Sequence, residues 1–410
     1  MNKVELRDII VNKNRVEYKY TAEGEISTYL NLDEDFFIEY SEDIDTVPKS
    51  ILAIPFVCNF LPIIWVLDAV LCLDEIDKDF YDGIALIKKG YMDMYPNVEF
   101  KGSLEADKIV DNSYTPAEKT AAFFSGGVDA FSTLISHYKE KPILITLWGS
   151  DVKLDDVEGW NVVREHAVKT AQAFGTENLF IKTSFRYFLK EGKLGKLVYD
   201  KAKDYWWHGF QHGIGLIGHA APFAYKHKLK TVYIASSFTI KEKGIVTCAS
   251  DPTIDNYVKM GSCKTIHDGY EYSRQDKVHN IVEFRNNNDL NFELRVCWQS
   301  RGGHNCCKCE KCYRTIYEII AENGDYKSLG FNLNEISKIE KDIKDKIVFD
   351  FVAKAYWKDI QTRFNDNKEY LSHNPLYAWI YKTDFDEINN GFKKKYINKI
   401  IDKVKARIKY

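Results

Sequence analysis

Two groups of residues in this chain have types and spacing that could do chemistry. The first is Ser125-Gly126-Gly127-Val128-Asp129. An apolar run, Ala121 to Phe124, leads into it, and a helical pattern with Phe131, Leu134 and Ile135 on one face follows. A strand that turns through two glycines into a helix points successive N–H groups at one spot, where the helix dipole adds about half a positive charge. Such a cradle suits a phosphate. The loop is neither G-x-x-x-x-G-K-[ST] nor G-x-G-x-x-G, so it is not a Walker loop or a Rossmann turn. The second group is Cys297, Cys306, Cys309 and Cys312, spaced C-x8-C-x2-C-x2-C around Gly302 and Gly303. Four thiolates on two tight turns suit the tetrahedral shell of a structural Zn²⁺. Cys307 is a fifth thiol in the run and is taken as spare, because Cys306, Cys309 and Cys312 keep the regular step.

Several further positions carry weaker signals. His208 and His212 have metal-ligand spacing but no H-E-x-x-H and no third ligand, so packing or substrate contact is expected of them and of Gln211 and His219. His267-Asp268-Gly269 reads as a turn with an acid–base histidine available. Cys58, Cys72, Cys248 and Cys263 read as ordinary small apolar residues.

The Ser125–Asp129 loop resembles the SGGxDS loop of the PP-loop, or N-type ATP pyrophosphatase, superfamily, whose members cleave ATP between the α and β phosphates. The resemblance implies that Ser125, Gly126, Gly127, Val128 and Asp129 bind ATP through its pyrophosphate, with Asp129 associated with Mg²⁺. The last serine of that motif is Ala130 here, and Ser132 is the nearest hydroxyl to replace it. Together with the four cysteines, the loop resembles the 7-cyano-7-deazaguanine synthase family. That family activates a carboxylate with ATP, joins ammonia to the acyl-adenylate, dehydrates the amide with a second ATP, and carries a zinc site of similar spacing. An iron–sulfur cluster, as in some tRNA-thiolating relatives, is the competing occupant; those sites use three cysteines, and the fourth here favours zinc.

The resemblance covers about Lys119 to Ile316. Within it, Arg274 stands where relatives have T-K-x-E and is assigned a phosphate, a surface helix arginine being the plain alternative. Asp255 is assigned a catalytic role and, with Ser236, Ser237 and Asp251, substrate contact. Trp148 ends the second strand, where relatives place adenine and ribose. The expected cofactors are ATP, Mg²⁺ and Zn²⁺. The expected partners are a small-molecule or deazapurine-type substrate and ammonia or an amine, with a protein or RNA acceptor and a homodimer also entertained. Two further readings stay open: a tRNA thiolase or polysaccharide sugar amidotransferase, and a nucleotide-binding module without turnover.

The elements that must position these residues form an α/β pattern. Strands are expected at Ala121–Phe124, Pro142–Leu147, Asn178–Lys182 and Thr231–Ala235, with helices over Ala130–Tyr138, Trp160–Phe174 and Trp207–Tyr225. That alternation implies a parallel sheet with right-handed crossovers and ligands at its C-terminal strand ends. Before it, residues 1–45 read as strands and Pro48–Tyr95 as helices. The organisation expected is an N-terminal β/α domain over 1–115, a PP-loop domain with a zinc knob over 116–325, and a helical extension over 326–410. Its basic end, Lys393–Tyr410, has eight Lys or Arg against Asp402 alone and suits a solvated helix or an anionic partner such as RNA. A net charge of −3 gives no global field that recruits nucleic acid or membrane. The apolar run Ile51–Leu73 carries Pro55, Asn59, Pro62 and Asp68 and reads as a buried helix pair, not a span. Five of nine cysteines fall between Cys297 and Cys312, unlike a disulfide framework, and no secretory signal is read, so a reduced cytoplasmic setting is expected.

Overall fold

The computed structural model describes residues 2–297 and 302–388. Compactness divides the chain into Met1–Ser273 and Arg274–Tyr410. Neither expected boundary, at 115 or at 325, coincides with this division.

The first unit is built on one ten-stranded sheet. Its strands are β1 (Asn2–Asn12), β2 (Arg15–Glu23), β3 (Phe36–Tyr40), β4 (Ala69–Asp77), β5 (Ser103–Val110), β6 (Thr120–Phe123), β7 (Ile143–Trp148), β8 (Asn178–Thr183), β9 (Thr231–Ala235) and β10 (Lys264–Asp268). Their spatial order is β10-β9-β6-β7-β8-β3-β2-β1-β4-β5. The first five in that order are mutually parallel, the three pairs β8–β3, β3–β2 and β2–β1 are antiparallel, and β1, β4 and β5 are parallel again. The seam is β3 against β8, with Tyr40 opposite Ile181. Residues 1–115 therefore share a sheet with the parallel block. They also share its core, in which Val4, Phe36 and Phe56 belong to the same apolar cluster as Ile145, Ile181 and Val232.

Local sequence explains the N-terminal strands. β1 and β2 are joined through Lys13-Asn14, with Lys13 in the left-handed region (φ 53). In β1 the buried positions run Val4, Leu6, then Ile9, because a bulge between Leu6 and Asp8 inserts one residue and resets the alternation.

The run Ile51–Leu73 is not a helix pair throughout. Its helix Ile54–Val66 is buried on nearly every side, and its second half is β4. The break falls at Asp68 (φ 49), a left-handed turn that Asp tolerates. Among the described residues no helix is long and apolar enough to cross a membrane. The expected helix Trp207–Tyr225 is likewise interrupted. It is a π-helical turn over Trp207–Gln211, then short pieces from Ile214 to His227, with the break at Gly213.

The second unit is helical among its described residues. Helices Glu310–Ala321 and Phe351–Asp366 pack around Tyr317, Trp357, Phe364 and Trp379, with the Trp379 indole N–H donating to the Tyr317 hydroxyl at 3.0 Å. The residues after 325 therefore share a core with the helix that carries Cys312. The basic stretch Lys393–Tyr410 lies outside the described residues.

Candidate functional site

Strand order in the parallel block fixes where a ligand fits. From β6 the chain steps outward to β7 and β8, then returns to the other side of β6 for β9 and β10. The crevice at the C-terminal ends of β6 and β9 is thus a topological switch point, where flanking connections leave in opposite directions. Ser125–Asp129 lies there. Phe124 N–H still pairs with Ile145 O at 2.8 Å, then Gly126 (φ 80) turns the chain and Gly127 caps the helix Val128–Ser136. Ser125 is exposed, Gly127 and Asp129 are half-buried, and Val128 faces the core. The expected strand–turn–helix is present, with its open side at the helix N-terminus. Ala130 and Ser132 are both buried, at 5% and 3% exposure, so the nearest candidate hydroxyl is on a packed face.

Trp148 does end β7. Its ring stacks on Trp160 at 5.3 Å and 5°, the Lys182 ammonium stands 5.0 Å from its centroid, and its N–H donates to Lys153 O. The indole is thus already engaged by protein, an arrangement that sequence spacing did not reveal.

Asp255 is fully buried at the end of the short helix Pro252–Asp255. One carboxylate oxygen accepts from Ser250 Oγ at 2.7 Å and pairs with His267 Nδ1 at 2.8 Å, while the other has no partner. Burial raises its pKa, opposed by His267. His267 and Asp268 belong to β10 and not to a turn. Asp251 caps the Pro252–Asp255 helix, its carboxylate accepting from Thr253 N–H at 2.8 Å. Ser236 Oγ donates to Phe238 O.

Arg274 belongs to the second unit. Its Nε donates to both oxygens of Glu318, at 2.9 and 3.2 Å, and a terminal nitrogen reaches Thr315 Oγ1 at 3.0 Å. At 6% exposure this is a buried ion pair, not a surface helix arginine, and it occupies the guanidinium assigned to phosphate.

The second unit also gathers Cys297, Cys306, Cys309 and Cys312, whose sulfurs all lie within 4.8 Å of one another. Cys297 and Cys309 are 3.9 Å apart, as are Cys306 and Cys312. The group could hold a metal such as zinc, and it does not include Cys307. Asn305, which the sequence reading passed over, links three separate backbone stretches near the cluster. Its side-chain oxygen accepts from Val296 and Cys297 N–H, and its amide donates to Leu294 O and Gly330 O.

The remaining histidines separate into two kinds. His219 is a core residue, bonded to Gly215 O and Thr183 Oγ1, and burial lowers its pKa to about 4. His208 and His212 instead converge on Cys248. The chain matches no protein-family model, no curated protein and no solved structure.

Proposed function

We propose that the chain is an ATP-dependent adenylating enzyme of PP-loop type, forming AMP and pyrophosphate and then a carbon–nitrogen bond. The observation that carries this reading is the Ser125–Asp129 loop at the switch point of a five-stranded parallel block. A substrate carboxylate, a 7-deazaguanine acid being the first candidate, attacks the α-phosphate in line. The loop N–H groups and the N-terminus of the Val128–Ser136 helix stabilise charge on the departing pyrophosphate. Asp129, in the helix's first turn, is the residue to hold Mg²⁺, which neutralises phosphate charge when bound. Ammonia or an amine, on a small molecule or a macromolecular acceptor, then displaces AMP. The work is positioning and electrostatics, so no Ser-His-Asp set is required. Arg274 is left out of this scheme because its fork is held by Glu318.

For the cysteine cluster the reading is structural zinc. Sulfurs about 2.3 Å from a tetrahedral ion stand roughly 3.8 Å apart, close to the 3.9 Å spacings here. Cysteines of a multi-iron cluster bind different iron atoms and must stand further apart.

The test is incubation with Mg²⁺ and ATP labelled at the α-phosphate, with 7-carboxy-7-deazaguanine plus ammonia, alongside Asp129→Ala. Labelled AMP, lost in the variant, is expected. ATP binding without AMP would favour the second reading, a nucleotide-binding module without turnover, which the buried Ala130 and Ser132 support.

A further inference from the structure

Cys248 lies in the segment that leaves the C-terminal end of β9, the strand that flanks the crevice opposite the glycine loop's own strand. Its sulfur is 3.6 Å from His212 Nδ1, and the next residue's N–H donates to His208 O at 2.8 Å. His208 Nδ1 is fixed by both oxygens of Asp204, at 3.0 and 3.1 Å. Asp204 is fixed in turn by the hydroxyls of Tyr95 and Thr247, each at 2.9 Å. The whole group stands at the same strand ends as the loop after β7. Gln211 Nε2 bonds Phe185 O beyond β8, and Arg186 bridges by covering the Trp207 ring at 4.1 Å while donating to Ser150 O.

Burial opposes ionisation of Cys248, but the hydrogen bonds from His208 and His212 outweigh it and draw the thiol down to about 6. The other buried thiols of this unit go the opposite way. Burial raises Cys58 far above the ordinary value and Cys263 to about 12. A second observation points to the same place. The unpartnered oxygen of Asp255 packs close to Gly213, next to His212, and to Ala249, next to Cys248, since a Cβ on Gly213 (φ 70) would come within 2.7 Å of it and 2.8 Å of Ala249 O. Burial disfavours charge on His212, but Cys248 and then Asp151 outweigh it and raise its pKa, which favours the imidazolium that a thiolate needs.

We propose that Cys248 is a nucleophile that accepts an acyl group from an activated carboxylate at these strand ends, with His212 as its ion-pair partner and Asp204–His208 as positioning residues. That the donor is an acyl-adenylate rests on the function proposed above. The thiolate attacks the acyl carbon, a C–S bond forms, and the C–O bond to phosphate breaks, AMP leaving with the electron pair. An amine then attacks the thioester. The thiolate leaves with the C–S electrons and pairs again with the His212 imidazolium, and the amine's proton passes to water. No oxidant or reductant is involved.

The test needs no ATP. The full chain is mixed with p-nitrophenyl acetate, a small pre-activated acyl donor, and in parallel with iodoacetamide across pH 5–9, and both adducts are mapped by mass spectrometry. The expected result is a burst of about one nitrophenolate per chain, a hydroxylamine-labile acetyl on Cys248, and alkylation of Cys248 at least 10-fold faster than of Cys58 or Cys263 at pH 7. The alkylation rate should turn near pH 6, and in His212→Gln that inflection should move upward. His208→Asn should move it in the same direction with a smaller effect. Acetyl absent from Cys248, alkylation no faster than at Cys58, or a profile unmoved in His212→Gln overturns the proposal, and the first two readouts need no variant to fold. Acetyl on Cys248 in a chain that makes no AMP from ATP would sustain the nucleophile and sink the adenylation reading instead.

Discussion

The glycine loop and the cysteine cluster are both turns that point several groups at one spot, yet they are finished in opposite ways. The loop leaves Ser125 exposed and Asp129 half-buried at the open end of a parallel block. In the cluster Cys297, Cys309 and Cys312 are buried, and Asn305 ties its own segment to Leu294 and Cys297. An arrangement with four ligands and no open position holds structure, whereas a glycine turn at a helix N-terminus on the open end of a sheet is fit to hold something that comes and goes. Damage to the cluster should therefore appear as lost stability, and damage to the loop as lost turnover in a stable chain.

The sharpest way to break that contrast is to remove the metal. Structural zinc sites contribute roughly 10–16 kcal/mol of apparent binding energy to folding. A strong chelator, or Cys309→Ala, is expected to abolish cooperative unfolding of the second unit, and elemental analysis should find one metal ion per chain. A melt indifferent to chelator, in a chain that purifies without metal, would reduce the cluster to four crowded thiols. Next in size is Glu318→Ala, which takes from the buried Arg274 guanidinium its carboxylate partner. The expected loss is on the order of 3–5 kcal/mol in urea unfolding; a loss below about 1 kcal/mol would free Arg274 for the ligand role that its contacts argue against.

Asp129→Ala should do the reverse. AMP formation is expected to fall about 10²- to 10³-fold, the scale of removing one stabilising group from a charge-developing site, while the melting temperature stays put. If stability fell and turnover did not, the loop would be a structural turn.

The smallest effect concerns the far end of the same helix. His137 is its C-cap, half-buried against Tyr233, with ring nitrogens 2.9 Å from Glu140 and from Asp268. Burial disfavours its charge, but the hydrogen bonds to Asp268 and Glu140 prevail and raise its pKa above the ordinary 6.5. Its contribution to stability is thus fully present below pH 6.5 and is lost as pH rises through the raised value. His137→Gln should flatten the decline of the urea midpoint above pH 6.5 and leave AMP formation unchanged.

What was legible in the sequence was legible for local reasons. Four parallel strands were expected within one residue of their observed ends, because short apolar runs bounded by glycine or charged turns carry their own signal. β4 was hidden because Ile51–Leu73 is apolar at nearly every position, so periodicity cannot show where helix gives way to strand; only Asp68 marks the change. β10 was missed because Lys264-Thr-Ile-His-Asp268 mixes charge with only one large aliphatic residue and owes its strand character to pairing along β9. The cysteine spacing could be read because its ligands are close in sequence. Cys248 read as an ordinary thiol because the groups that change it, His212, His208 and Asp204, are 36 to 44 residues away and meet it only through the fold. The partner of Arg274 was hidden too, since no pattern in Ser273–Asp276 announces Glu318.

The β3–β8 seam has a consequence for how the chain is made. At a synthesis rate of roughly 5–20 residues per second, Tyr40 waits on the order of 10–30 s for its partner Ile181 to be added. Throughout that interval β3 has one unclaimed edge, and a bare strand edge is a template for any other extended chain. Arg15, Glu17 and Glu39 place charge across this nascent ribbon. Slowing translation between β3 and β8 prolongs that exposure and should cost soluble yield more than slowing it anywhere later.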